Sequence, residues 1–179
     1  MSDDDVRARA DERRRMLNEL EVERNQLIRN IETCRIRDID RPFIGDWSLK
    51  DIVGHVSSWE VEFTSSLRGA RGGDPAMPPV LSAEEEDAWN AAEVERKRAT
   101  PFWELMDQLH EGRASLLEVL GEFSDEELTE DGGVPAASVQ EVLAHDRRHW
   151  HEIAAKLAGM AGVRGVSAEP NEAATTTSS

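Results

Sequence analysis

Apolar residues recur at three- and four-residue steps through most of this chain, and this spacing limits its fold more than any other feature. In the first segment, Asp4–Cys34, the apolar positions are separated by Glu and Arg. Such spacing places the apolar side chains on one face of a helix. No stretch alternates apolar and polar residues convincingly enough to predict a strand. The chain is therefore predicted to be all-α.

Capping signals and helix breakers divide this pattern into four long helices with connecting loops. A serine followed three residues later by an acid predicts a helix start, and the candidates are Ser48, Ser82, Ser124 and Ser138. The second helix is expected over Ser48–Leu67, and the last from Ser138 to about Gly159–Gly162. Pro101 should either kink the third helix or divide it, because proline lacks a backbone donor. These segments predict a four-helix bundle.

Length and composition favour one domain followed by a tail. The chain has 179 residues, and 21 Lys plus Arg against 37 Asp plus Glu give a formal net charge of −16. This charge argues against nucleic acid as a partner, because the phosphate backbone attracts basic surfaces. We expect the bundle at residues 1–160 and a disordered tail at residues 161–179, which are small, polar and rich in serine and threonine.

The same composition favours a cytoplasmic protein. No apolar run approaches the roughly 18 residues needed to cross a bilayer, so no membrane partner is expected. The opening residues resemble neither a signal peptide nor a transit peptide. The single cysteine, Cys34, excludes an intramolecular disulfide.

Three histidines on two predicted helices form the candidate functional centre. His145 and His149 are four residues apart and share one helical face, whereas His151 points away from it. His55 takes the same position on the second helix, at the edge of the apolar arc. If these helices face each other, three neutral imidazoles can bind one divalent ion and leave positions open for water or substrate.

This pattern has simpler explanations that the residues alone leave open. A histidine pair spaced by four is often a surface pair or a satisfied core pair. The similarity between the two helices can also arise by chance between capped amphipathic segments. Two acids, Asp146 and Glu60, fall within buried arcs, where an unpaired carboxylate is costly. Each is expected either to pair with a buried partner or to act at the site, by orienting a ligand histidine or carrying a proton.

Two phrases, GDWSLKDIVGHVSSWE at Gly45–Glu60 and VLAHDRRHWHEIAAKL at Val142–Leu157, resemble the DinB/YfiT-like superfamily of metal-dependent four-helix bundles. The resemblance implies that His55, His145 and His149 bind a divalent metal, with Zn, Ni, Fe and Mn as candidates. It does not imply a DNA polymerase. Similar proteins include thiol S-transferases that use mycothiol, bacillithiol or glutathione, a mycothiol-dependent maleylpyruvate isomerase, and the ClbS/DfsB branch, which gives resistance to reactive natural products.

The resemblance therefore implies an enzyme in which a metal-bound thiol attacks an electrophilic small molecule, in detoxification. Arg68 and Arg71 are candidates to bind the carboxylates of a thiol cofactor. The substrate is expected to enter near the loops at 35–47 and 69–79, where the candidate apolar walls are Trp47, Trp59 and Trp89, with Trp59 favoured as a core residue.

Two further functions remain open from the sequence. In one, the same metal activates water in a hydrolase, and Asp146 or Glu60 carries the proton. In the other, the chain is a non-enzymatic helical bundle, with or without metal, that forms a homodimer through exposed helix faces. Dependence on added thiol separates the transferase from the hydrolase, and metal content tests the third function.

Overall fold

The structure is a computed structural model that describes residues 2–35, 39–73 and 81–166. Four long helices form a bundle: α1 (Asp3–Thr33), α2 (Leu49–Arg71), α4 (Phe102–Gly121) and α6 (Val134–Val166). Helix α1 packs chiefly on α6, and α2 packs on both α4 and α6. No helix in the described part is long and apolar enough to cross a membrane. The predicted all-α four-helix bundle is confirmed.

Two shorter helices, α3 (Ala83–Lys97) and α5 (Asp125–Thr129), complete the helical part. Pro101 occupies the N-cap of α4, so the predicted third helix is divided in two rather than kinked. Helix α3 packs on α2, and α5 packs on α1 and α6. Proline suits this position because its missing N–H would have no helical partner there.

Capping boxes begin three of the helices where the sequence predicts them, at Ser48–Asp51, Ser82–Glu85 and Ser124–Glu127. The cap predicted at Ser138 is wrong. Helix α6 already begins at Val134, so Ser138 is buried inside the helix, and its hydroxyl has no partner among the described residues. Pro135 explains the earlier start, because proline is pre-organised for the first helical turn.

The last helix also continues further than predicted. It runs to Val166, so the boundary expected at residue 160 falls within a helix. The remainder of the predicted tail, residues 167–179, lies outside the described part of the chain.

A short hairpin precedes α2 where only a loop was expected. Strands β1 (Pro42–Ile44) and β2 (Trp47–Ser48) pair antiparallel around Gly45, whose positive φ of 57° is readily adopted by glycine. The prediction of no strand is thus wrong for these few residues, because strands of two or three residues are too short to show an alternating pattern. The hairpin buries Phe43 in the core and brings Trp47 to the start of α2.

The interior of the bundle consists of two apolar clusters separated by four charged side chains. One cluster includes Leu20, Phe63, Leu116 and Leu143, and the other includes Leu27, Val56, Leu109 and Ile153. Between them, each bundle helix contributes one buried charge, and we call this set the charged layer: Arg24, Glu60, Arg113 and Asp146.

Candidate metal centre

Three histidine side chains meet between α2 and α6, and we call them the histidine cluster. His55 Nε2 lies 3.0 Å from His145 Nε2, and His149 Nε2 lies 3.2 Å from the same atom. One ring nitrogen from each residue falls within 4.8 Å of the other two. The helical period places His145 and His149 one turn apart, and the packing of α2 on α6 brings His55 to them. The predicted convergence of the three residues is therefore present.

The surroundings of the Nδ1 atoms bear on which nitrogen of each ring carries the proton and which presents a lone pair to the centre of the cluster. His149 Nδ1 lies 3.1 Å from Glu152 Oε2, and a carboxylate only accepts hydrogen bonds. The proton of a neutral His149 is therefore on Nδ1, and its Nε2 presents a lone pair to the cluster. Such carboxylate–histidine pairs fix ring orientation at metal sites. His55 Nδ1 is buried without a hydrogen-bond partner among the described residues.

Burial lowers the pKa of all three imidazoles. The pKa of His55 falls to about 3, chiefly because burial removes water from the imidazolium, and neighbouring positive charges add to the effect. The pKa of His145 lies well below its ordinary value for the same first reason. Burial also lowers the pKa of His149, although the Glu152 carboxylate opposes it. The cluster is thus uncharged at neutral pH, which is the state of imidazole that binds metals.

The donor set fits a divalent transition metal. Two nitrogens bound about 2.1 Å from one ion lie about 3.0 to 3.4 Å apart for angles between a right angle and the tetrahedral angle, and the two shortest separations in the cluster are 3.0 and 3.2 Å. With the proton of each neutral ring on Nδ1, three Nε2 lone pairs would point to one place, where a bound cation would accept them. Zn, Ni, Fe and Mn all accept such ligands, with positions left for other molecules.

A cavity of about 520 Å³ opens onto the histidine cluster, and both His55 and His149 line it. Trp47 forms part of its wall, as expected for this candidate wall residue of the predicted 35–47 loop, and its ring lies 4.8 Å from that of His55. Trp59 instead packs against a core cluster, as favoured from the sequence, and the centroid of the tilted Trp89 ring lies 4.5 Å from that of Trp59. Of the predicted entrance loop at 69–79, residues 74–79 lie outside the described part.

The predicted proton carriers belong to the charged layer instead of the cavity. Glu60 Oε1 and Oε2 each lie 2.7 Å from a guanidinium nitrogen, of Arg113 and Arg24 respectively. Both carboxylate oxygens of Asp146 also accept hydrogen bonds from these two arginines, at 2.8 to 3.1 Å. The prediction that Asp146 pairs with a buried partner is confirmed. Every oxygen of both acids is engaged in an ion pair, so a catalytic role for Asp146 or Glu60 finds no support in the geometry.

The predicted cofactor-binding arginines do not line this cavity. Arg71 lies over the ring of Phe123 and within 3.9 Å of Glu122 and 3.8 Å of Glu127, beside α4 and α5. Arg68 is exposed near the same end of α2. The reason is helix length: both residues follow His55 by more than three turns, which carries them away from the cluster. The arginine that does line the cavity is Arg148, next to His149.

Several residues of the charged layer and of the histidine cluster's surroundings were not predicted, although some of them left a signal in the sequence. Arg24 and Arg113 each interrupt an apolar stripe, between Leu20 and Leu27 and between Leu109 and Leu116. A cation in such a stripe indicates a buried acid on a facing helix. Glu152, three residues after His149, had the spacing of a partner on the same helical face.

A four-helix bundle with one histidine from the second helix and two from the last is the arrangement of the DinB/YfiT-like superfamily. Residues 20–158 match the family model described as the mycothiol maleylpyruvate isomerase N-terminal domain, and the chain belongs to this family of DinB-like bundles. No curated protein and no solved structure gave a match. The family description relates these domains to mycothiol.

Proposed function

We propose that the chain is a metal-dependent enzyme that transfers a low-molecular-weight thiol to electrophilic small molecules, in detoxification. The observation that carries this proposal is the convergence of three uncharged imidazoles, of which His55 and His149 line a cavity large enough for a small molecule. The description of the family to which the chain belongs names mycothiol, and this supports a thiol as the first substrate. The net charge of −16 agrees with a small-molecule partner rather than nucleic acid.

Each residue of the site has a defined part in this proposal. His55, His145 and His149 hold the metal, and Glu152 keeps the proton of His149 on Nδ1 so that Nε2 stays free to bind. A divalent ion held there supplies Lewis acidity that favours thiolate over thiol. Trp47 covers the His55 ring and limits the access of water to it. The thiolate sulfur, whose proton has gone to solvent, would form the new carbon–sulfur bond. The electrophilic carbon would release its leaving group with the bonding electron pair or, in an addition, its double bond would open and take up a proton from solvent.

The two buried acids do not supply the proton acceptor that the hydrolase alternative assigned to them. A hydrolase needs a proton acceptor beside the attacking water. The oxygens of Glu60 and Asp146 are all occupied by arginines, and Glu152 already accepts from His149. A thiol ionises near pH 8.5 without help and needs a weaker base than water does.

Elemental analysis of the native protein is the first test, followed by thiol consumption with a panel of electrophiles. The protein loaded with Zn, Ni, Fe or Mn should consume mycothiol, bacillithiol or glutathione. His149→Ala should lose both the metal and this activity. His151→Ala is the matched control, because His151 is exposed on the other side of α6 and should change neither. A protein that holds metal but consumes electrophile without added thiol would favour the hydrolase, and one that holds no metal would contradict the proposal.

A further inference from the structure

The side chain of Asn90, on α3, is held in one orientation by a tryptophan. Trp59 Nε1 donates a hydrogen bond of 2.8 Å to Asn90 Oδ1. An indole N–H can only donate, so it must meet the oxygen of the amide and not its nitrogen. The Nδ2 group of Asn90 is therefore turned away from Trp59.

Asn90 also lines the cavity that contains His55 and His149. The residue is only 9% exposed, yet its Nδ2 group makes no hydrogen bond to another described residue. Nδ2 is not among the buried atoms that lack a partner, so this oriented donor is accessible from the cavity and can donate a hydrogen bond to a molecule bound there. The unused donor and the histidine cluster share one cavity.

The charges around the cavity indicate which acceptor suits this donor. Among the described residues that line the cavity, four are acids and one is an arginine. The acids are Asp46, Glu86, Asp87 and Glu152, and the arginine is Arg148. A ligand carboxylate would meet mostly like charge there, and although solvent screens the exposed Asp46 and Asp87, the remaining repulsion disfavours a carboxylate. An uncharged carbonyl or hydroxyl oxygen avoids this repulsion and still accepts a hydrogen bond.

We propose that Asn90 determines specificity at this site by donating a hydrogen bond from Nδ2 to an uncharged carbonyl or hydroxyl oxygen of the bound thiol. The inference rests on the proposed function, because it takes the thiol to be the molecule beside the histidines. It adds that the site selects thiols without a carboxylate near the sulfur. Trp59 is a positioning residue that acts through Asn90.

The test measures binding of three thiols to the zinc-loaded full chain by calorimetry. N-acetylcysteine amide offers uncharged carbonyl oxygens, N-acetylcysteine offers a carboxylate, and propanethiol has no oxygen. Asn90→Asp keeps an oxygen for the indole N–H but replaces the donor with a charged acceptor. Trp59→Phe keeps an aromatic ring but releases the amide. Ser58→Ala is the matched control, because it removes a hydrogen bond to Glu93 between the same two helices at residues that do not line the cavity.

Wild-type protein should bind the amide about tenfold more tightly than the carboxylate, and Asn90→Asp should lower the affinity for the amide about tenfold. It should also weaken binding of the carboxylate, because it adds a negative charge to the cavity. Trp59→Phe should weaken binding of the amide by a few-fold, and Ser58→Ala should change nothing. Propanethiol should bind all four proteins equally. Equal binding of the amide by wild type and Asn90→Asp, while propanethiol still binds, overturns the inference alone. Failure of every thiol to bind zinc-loaded wild type overturns the proposed function and the inference with it.

Discussion

The charged layer and the histidine cluster both place polar side chains inside the same bundle, but they differ in how these groups are compensated. The charged layer combines two arginines with two carboxylates, each 1–8% exposed as side chains, and the opposite charges cancel. Its carboxylate oxygens all accept hydrogen bonds from protein donors. The layer therefore needs nothing from outside the chain.

The histidine cluster carries no charge that needs balancing, and its ring nitrogens lack a complete set of hydrogen-bond partners among the described residues. Its three rings are uncharged because burial lowers their pKa values. Their Nε2 atoms face one another at 3.0 and 3.2 Å, and His55 Nδ1 is buried without a partner among the described residues. The comparison teaches that burial and polarity alone do not mark a functional site. The candidate site is the cluster whose polar atoms are left without a full set of hydrogen-bond partners by the described residues.

Arg113→Met should have the largest effect, because it breaks the balance of the charged layer. It leaves Glu60 and Asp146 with Arg24 as their remaining partner in the layer. Removing one partner of a buried ion pair costs about 3 to 5 kcal/mol of unfolding free energy. Urea unfolding of both proteins at neutral pH measures this loss.

The matched control for Arg113→Met is Arg147→Met. Arg147 on α6 pairs with Glu19 and Glu23 on α1, so it also joins two bundle helices, but its side chain is 39% exposed. Its loss should therefore cost less than about 1 kcal/mol. Equal effects of the two substitutions would contradict the claim that the layer depends on buried charge balance.

Acid should destabilise the metal-free protein through the histidine cluster. The pKa of His55 is about 3 in the folded chain and near 6.5 when unfolded. Its contribution is therefore fully present above pH 6.5 and is lost as pH falls from there towards 3, by up to about 1.4 kcal/mol per pH unit. Unfolding at pH 7.5, 6 and 5 should show a shallower loss in His55→Asn than in wild type. Parallel pH profiles for the two proteins would rule out this contribution.

The contrast between the charged layer and the histidine cluster also shows how much of each could be predicted from the sequence. His145 and His149 were predictable because their spacing matches the helical period, and His55 because it takes the same position at the edge of the apolar arc of α2. The acids of the charged layer stood out within apolar arcs. Their arginine partners were missed because long side chains on distant helices reach each other only after packing. Which acid serves the site and which serves the core is decided by these tertiary contacts.

Local errors have equally physical causes. The cap at Ser138 had the expected serine and acid, but Pro135 starts the helix a turn earlier. The hairpin at residues 42–48 is too short for strand periodicity to appear. Asn90 carried no sequence signal, because its role depends on the indole N–H of Trp59 that fixes its amide.

Glu152→Ala should weaken metal binding without removing a ligand. The substitution deletes the acceptor that keeps the proton of His149 on Nδ1. Loss of such a supporting partner typically reduces metal affinity by about 10- to 100-fold. Zinc dissociation constants from competition with a chelator measure the effect. Glu141→Ala, an exposed acid on the same helix, should bind zinc as wild type does, and an unchanged constant for Glu152→Ala would exclude this supporting role.

The smallest expected effect tests how rigid the charged layer is. A Cβ atom at Gly112 would lie 3.3 Å from Glu60 Oε2, and two arginines hold that carboxylate so that it cannot move aside. Gly112→Ala should therefore lower the unfolding free energy by about 1 kcal/mol, since overpacking outweighs the gain in helix propensity. Gly159→Ala in α6 meets no atom within 4 Å and should stabilise by about 0.5 to 1 kcal/mol. Stabilisation by both substitutions, measured by urea unfolding, would mean that Glu60 can shift and that the layer is looser than its hydrogen bonds indicate.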